Sequence, residues 1–142
     1  MCPPGIRLSN TGKIIEKQLY DLGRQFKNIR LDSYVIMPNH IHFIIEIFKW
    51  ADTRPAPTIS EIICAFKSRT TNLIIKEVKN GNMKRFNDQI WQRNYYEHII
   101  RNEKEYYKIL EYIKTNPLKW EEDIYYKEGN FKYGKTIYNF CL

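Results

Sequence analysis

Two apolar, β-branched runs separated by Pro38-Asn39 constrain this chain more than any other feature. Ile29 to Met37 and His40 to Phe48 carry the branched and aromatic side chains that suit a pleated strand. The residues between them are turn formers: proline has its φ preset, and asparagine bonds locally to its own backbone. The two runs are therefore expected to pair as an antiparallel hairpin. Strand side chains alternate, which predicts Leu31, Ser33, Val35 and Met37 on one face and Asp32, Tyr34 and Ile36 on the other.

Helical patterns surround the hairpin. From Thr11 to Asn28, apolar side chains at Ile14, Ile15, Leu19, Leu22 and Phe26 recur at spacings of three and four. Thr58 to Lys79 opens on a capping box, Thr58-Ile-Ser-Glu61, and carries a stripe of Ile59, Ile62, Phe66, Leu73 and Ile74. Its other face bears Lys67, Arg69 and Lys76, and Asn80-Gly81 is a stop signal. A third helix, capped by Asn102-Glu-Lys-Glu105, is expected to run to about Asn116, with Pro117 ending it.

Between positions 82 and 101 one or two further strands are expected, best seen at Gln89 to Arg93 and Tyr95 to Ile100. Met1 to Asn10 reads as irregular, Trp50 to Pro57 as a loop, and the aromatic, basic tail from Lys119 as a strap around the body. The order is helix, strand, strand, helix, strand(s), helix. It predicts an α+β fold with helices packed on a small antiparallel sheet.

At 142 residues the chain has material for one domain, so 1–142 is expected to be a single unit. It is too short for an eight-fold barrel. No apolar run approaches the ~18 residues of a membrane span and no signal peptide opens the chain, which predicts a cytoplasmic protein with no membrane contact. The charge is lopsided, with 23 Lys plus Arg against 16 Asp plus Glu, and 11 residues are tyrosine. Such a surface suits nucleic acid, whose phosphates attract the charge and whose unpaired bases stack on the rings. Cys2, Cys64 and Cys141 share no metal-ligand spacing and read as reduced thiols.

The sharpest local signal is His40-Ile41-His42. On a strand the two imidazoles project from one face about 6–7 Å apart, close enough to share one metal ion. A pair of solvent-facing histidines on an exposed strand would give the same pattern. His98, the third histidine, either completes a three-histidine zinc site or is a hydrogen-bonded residue of the body. On the third helix, Lys108, Tyr112 and Asn116 follow at spacings of four, so an ammonium, a phenol and an amide oxygen line one stripe. Ile109 and Ile113 beside them are expected to hold the helix to the core. Tyr112 is the nucleophile candidate, with Tyr106 and Tyr107 as alternatives on the same helix; an amphipathic tyrosine that only covers the core would give the same pattern.

Three blocks then stand in order: Met37-Pro38-Asn39-His40-Ile41-His42-Phe43, Trp91 to Arg101 (WQRNYYEHIIR), and Tyr112-Ile113-x-x-Asn116-Pro117. Together they resemble the REP-associated tyrosine transposases, single-tyrosine HUH endonucleases related to small insertion-sequence transposases. The likeness runs from about Gly12 to Trp120. It implies a ferredoxin-like sheet of the HUH type, with His40 and His42 as metal ligands and Asn116 as the third. It also implies Tyr112 as the nucleophile and a divalent ion, Mg²⁺ or Mn²⁺, as cofactor. The expected substrate is single-stranded or hairpin DNA, cut and rejoined through a 5′-phosphotyrosine by a monomer or homodimer. Lys67, Arg69 and Lys108 are the expected phosphate contacts.

Members of that family usually begin with a further strand, and here the chain opens Met1-Cys2-Pro3-Pro4, so the first sheet strand is expected to be missing or replaced. Two other readings compete. One is a catalytically silent DNA- or RNA-binding module on the same fold. The other is a zinc hydrolase using His40, His42 and His98, with water as nucleophile.

Overall fold

The computed structural model describes residues 7–48, 55–86 and 89–118. Among the described residues, five elements follow in order: helix α1 (Asn10–Gln25), strand β1 (Ile29–Ile36), strand β2 (Ile41–Ile47), helix α2 (Ile59–Lys79) and helix α3 (Glu103–Thr115). The strands pair antiparallel as one two-stranded sheet, and the fold is α+β.

Each helix starts where a side chain satisfies its first amides. The Ser9 hydroxyl accepts from the Gly12 amide at 3.1 Å. Thr58 and Glu61 exchange both bonds of the capping box, and the Asn102 side chain accepts from the Glu105 amide at 2.9 Å. Helix α1 ends earlier than its apolar stripe suggests. Phe26 is already extended, and its carbonyl accepts from the Ile29 amide, a turn that feeds the chain into β1. At the end of α2, Asn82 N–H bonds the Glu77 carbonyl and Gly81 N–H bonds that of Val78. This closure needs a left-handed residue, and Gly81 supplies it at φ 75°.

The sheet has two covered faces. Ile15, Leu19 and Leu22 of α1 and Ile62, Ile63 and Phe66 of α2 pack on one, against Ile29, Tyr34, Ile36, Ile41, Phe43 and Ile45. On the other, Val35, Met37 and Ile44 meet Ile113 of α3 and Ile100, with Tyr106 and Ile109 at the margin. Simple alternation assigns Leu31 to the Val35 side, but it packs with Tyr34 and Ile36 instead. The cause is a β-bulge: Leu31 pairs with Ile45 and Ser33 with Ile44, leaving Asp32 as the extra residue. The bulge flips the parity of the strand.

No strand forms between 89 and 101. The segment is held by side chains rather than by a ladder. Lys67 Nζ donates to the Gln92 carbonyl at 2.7 Å, Trp91 Nε1 donates to Thr70 Oγ1 at 2.8 Å, and Tyr95 packs on the α1–α2 core. With Ile100 in the second cluster, this stretch passes from one face of the sheet to the other. The β-branched pattern at Ile99-Ile100 is used for packing instead of pairing: Ile100 is buried against Val35, Met37, Ile44 and Ile113. Helix α3 ends at Thr115 and tightens into a 3₁₀ turn over 116–118 that contains Pro117. The predicted tail from Lys119, the expected replacement of the first strand at the N-terminus and the Trp50 to Pro57 loop up to position 54 lie outside the described residues. Among the described residues, no helix is long and apolar enough to cross a membrane.

Candidate active site

The hairpin register places the histidines. Met37 N–H donates to the His40 carbonyl at 2.8 Å across the Pro38-Asn39 turn, and Val35 faces His42 across the ladder. Cross-strand partners share a face. His40 and His42 therefore stand with Met37 and Val35 on the side that α3 covers. They are 3 % and 1 % exposed, which removes the reading of solvent-facing histidines. Their ring centroids are 4.7 Å apart, edge to face, closer than strand repeat alone suggests.

The two rings have different polar surroundings. His40 Nδ1 lies 2.6 Å from Asn39 Oδ1. An amide oxygen only accepts, so Nδ1 carries the proton and Nε2, which is buried, carries the lone pair. Both ring nitrogens of His42 are buried without a hydrogen-bond partner. Burial pushes the pKa of His42 down to about 3, with repulsion from His40 as the smaller cause, so the imidazole is neutral at physiological pH.

Helix α3 brings the remaining groups. The Tyr112 ring meets the His42 ring edge to face at 5.2 Å and stays 43 % exposed. One turn on, Asn116 N–H donates to the Tyr112 carbonyl. The Asn116 side chain is buried, and its Oδ1 has no hydrogen-bond partner. The other two tyrosines are directed elsewhere. Tyr106 hydroxyl donates to Asp32 at 2.9 Å, and Tyr107 is exposed with its ring against Tyr106.

A buried polar atom left unbonded costs about 1–3 kcal/mol, so the three orphaned atoms on His42 and Asn116 call for a partner. Imidazole nitrogens and an amide oxygen suit a divalent ion that accepts mixed nitrogen and oxygen ligands. The donor set fits. His98 does not join it: its Nε2 is 2.6 Å from Glu105 Oε1. Among the described residues, no group of three His, Cys, Asp or Glu side chains could hold a metal ion. The three-histidine zinc centre is not assembled, because Glu105 at the start of α3 holds His98.

The basic candidates separate by exposure. Arg69 on α2 and Lys108 on α3 are exposed. Lys67 is half-buried, donating to the Gln92 carbonyl and lying 5.5 Å from the Tyr95 ring centre. Burial lowers its pKa. It fastens the 92–95 segment to α2. Sequence reading also missed Asn39 as a partner for His40. An Asn in a turn signals turn geometry, and nothing local says which neighbour its amide will reach.

Residues 10–116, from the first residue of α1 to Asn116, match the family model described as "Transposase IS200 like". The chain belongs to the IS200-like transposase family. Two relatives come from Haemophilus influenzae. An uncharacterized protein is 37 % identical over 130 residues, covering 85 % of this chain and 72 % of the relative. The second, named provisionally as a REP-associated tyrosine transposase, is 32 % identical over 87 residues, covering 59 % of this chain and 47 % of its own length. No solved structure matches the chain. Membership in the IS200-like family makes DNA the polymer concerned and transposase-type processing the class of activity.

Proposed function

We propose that this chain cuts and rejoins single-stranded DNA, in hairpin or palindromic-repeat form, through a 5′-phosphotyrosine on Tyr112. The observation that carries the reading is the contact between Tyr112 and His42, an imidazole whose two nitrogens are buried and unbonded. His40, His42 and Asn116 would hold one divalent ion, Mg²⁺ or Mn²⁺, which when bound polarises a phosphodiester and stabilises the charge that develops on it.

The residues of the chain do the rest. Tyr112 Oη attacks phosphorus, forming an O–P bond as the bond from phosphorus to the 3′-oxygen breaks. The phenol gives up its proton to solvent, and the departing 3′-oxygen takes one up. One phosphoester replaces another, so the reverse attack by a 3′-hydroxyl reseals the strand without ATP. Lys108, one turn before Tyr112 on α3, would favour the phenolate and hold a phosphate. Arg69 adds a second cationic contact on α2. Partial exposure of Tyr112 leaves it open to a polymer, while His40 and His42 are buried.

The test is incubation of the full chain with Mn²⁺ and a 3′-labelled single-stranded hairpin, followed by a denaturing gel. A labelled protein–DNA adduct that disappears with Tyr112→Phe is expected. Retention of the adduct in that variant would move the nucleophile elsewhere. Binding without any adduct in the unmutated protein would favour the silent nucleic-acid-binding module.

A further inference from the structure

Helix α3 carries both Tyr112 and Asn116, yet only Ile113 within it is fully buried. Tyr106 and Ile109 pack at the margin of the second cluster, and β1 is a principal seat of the helix. Apolar contact of this kind is non-directional, and a single deep anchor leaves rotation about the helix axis weakly set. A hydrogen bond, in contrast, fixes direction within a few tens of degrees. Tyr106 supplies one, its hydroxyl donating to Asp32 Oδ2 at 2.9 Å.

Asp32 can accept that bond because it is the extra residue of the bulge between Leu31 and Ser33. Bulges re-aim side chains, and here the re-aimed carboxylate meets the helix. The bulge also leaves Val35 in register with His42 and its face turned to α3. One irregularity in β1 thus sets which β1 side chains share the face of the histidines and supplies the polar tie to the helix that covers it.

We propose that Asp32 and Tyr106 form a latch that sets the seat of α3 and so positions Tyr112 and Asn116 over His42. Both are positioning residues, acting through α3 rather than on DNA. The inference rests on the reading of Tyr112 as nucleophile for its catalytic consequence, but not for its geometric one.

The experiment compares the full-length protein with Tyr106→Phe, Asp32→Ala and Asp32→Asn by two readouts. The first is the NMR signal of the His42 ring protons without metal, which the ring current of Tyr112 displaces. The second is the rate of adduct formation at saturating hairpin DNA with Mn²⁺. Tyr106→Phe and Asp32→Ala are expected to shift the His42 signals and to slow adduct formation about tenfold with DNA affinity unchanged. Asp32→Asn keeps an acceptor oxygen and is expected to stay close to the parent. The double variant should be no worse than either disruptive single change, since both break one bond. His42 signals in Tyr106→Phe and Asp32→Ala that coincide with those of the parent overturn the latch, whatever the activity. An unmutated protein that forms no adduct overturns the Tyr112 reading instead, and the latch then stands or falls on the NMR comparison.

Discussion

His40 Nδ1 donates to Asn39 Oδ1 at 2.6 Å, so the turn that reverses the chain also orients the first histidine of the site. Such partners of a metal-ligating histidine fix its tautomer and typically contribute 10–100-fold in metal affinity. Asn39→Ala is therefore expected to weaken Mn²⁺ binding by about tenfold or more, measured by calorimetric titration of the protein without DNA. Asn39→Asp keeps an acceptor and should retain most of the affinity. Equal affinity in the parent and Asn39→Ala would separate the turn from the site.

His42→Leu tests the orphaned nitrogens. In the metal-free protein the substitution removes two buried, unbonded polar atoms, so thermal stability is expected to hold or to rise by about 1 kcal/mol. Mn²⁺ at a hundred times its Kd should stabilise the parent by about 2.7 kcal/mol by mass action and leave the variant unmoved. Melting curves with Mn²⁺ and after chelation check both halves. A variant that melts well below the metal-free parent would show that His42 is a packing residue first.

For Tyr112→Phe the expected change in stability is within about 0.5 kcal/mol, because the ring against His42 is kept and only an oxygen on an exposed side chain is lost. Adduct formation should vanish while hairpin binding persists. Denaturant unfolding alongside the gel assay separates a chemical loss from a folding one.

Glu105 gives a pH-dependent term. Its carboxylate accepts from the Arg101 amide at 2.9 Å and pairs with His98, and these bonds lower its pKa below the usual 4.5, the backbone bond being the larger cause. A carboxylate with a depressed folded-state pKa stabilises the fold above its unfolded value, and this contribution is lost as pH falls through the folded one. Glu105→Gln should thus lower the melting temperature at neutral pH, with the gap closing as pH drops below the carboxylate range. A gap that stays constant with pH would assign the effect to packing.

Salt dependence distinguishes the cations. Each phosphate neutralised on single-stranded DNA contributes a slope of about 0.7 in the log–log plot. Arg69→Ala, at an exposed site, should reduce the slope by about that amount with stability unchanged. Lys67→Ala should instead destabilise the fold by about 1 kcal/mol, through loss of the bond to the Gln92 carbonyl. Fluorescence anisotropy over a range of salt, paired with unfolding curves, reads both effects.

Much of this molecule is written in local pattern. The three helices follow from their caps and apolar stripes, the hairpin from Pro38-Asn39 between two branched runs, and the common face of His40 and His42 from strand parity. The neighbouring positions of Tyr112 and Asn116 follow from helical pitch. All of these depend on residues within a few positions of each other, where backbone geometry alone decides. The tertiary structure decided what depends on distant partners. It set the bulge at Asp32 that moves Leu31 across the sheet, and the hold of Lys67 on Gln92 in a segment, 89–101, where local pattern predicts a strand. It paired His98 with Glu105 rather than with the other histidines, and brought Tyr112, not Tyr106 or Tyr107, against His42. Each is a choice among competing partners 7 to 70 residues apart in the chain. Packing in three dimensions makes that choice, and no local spacing encodes it.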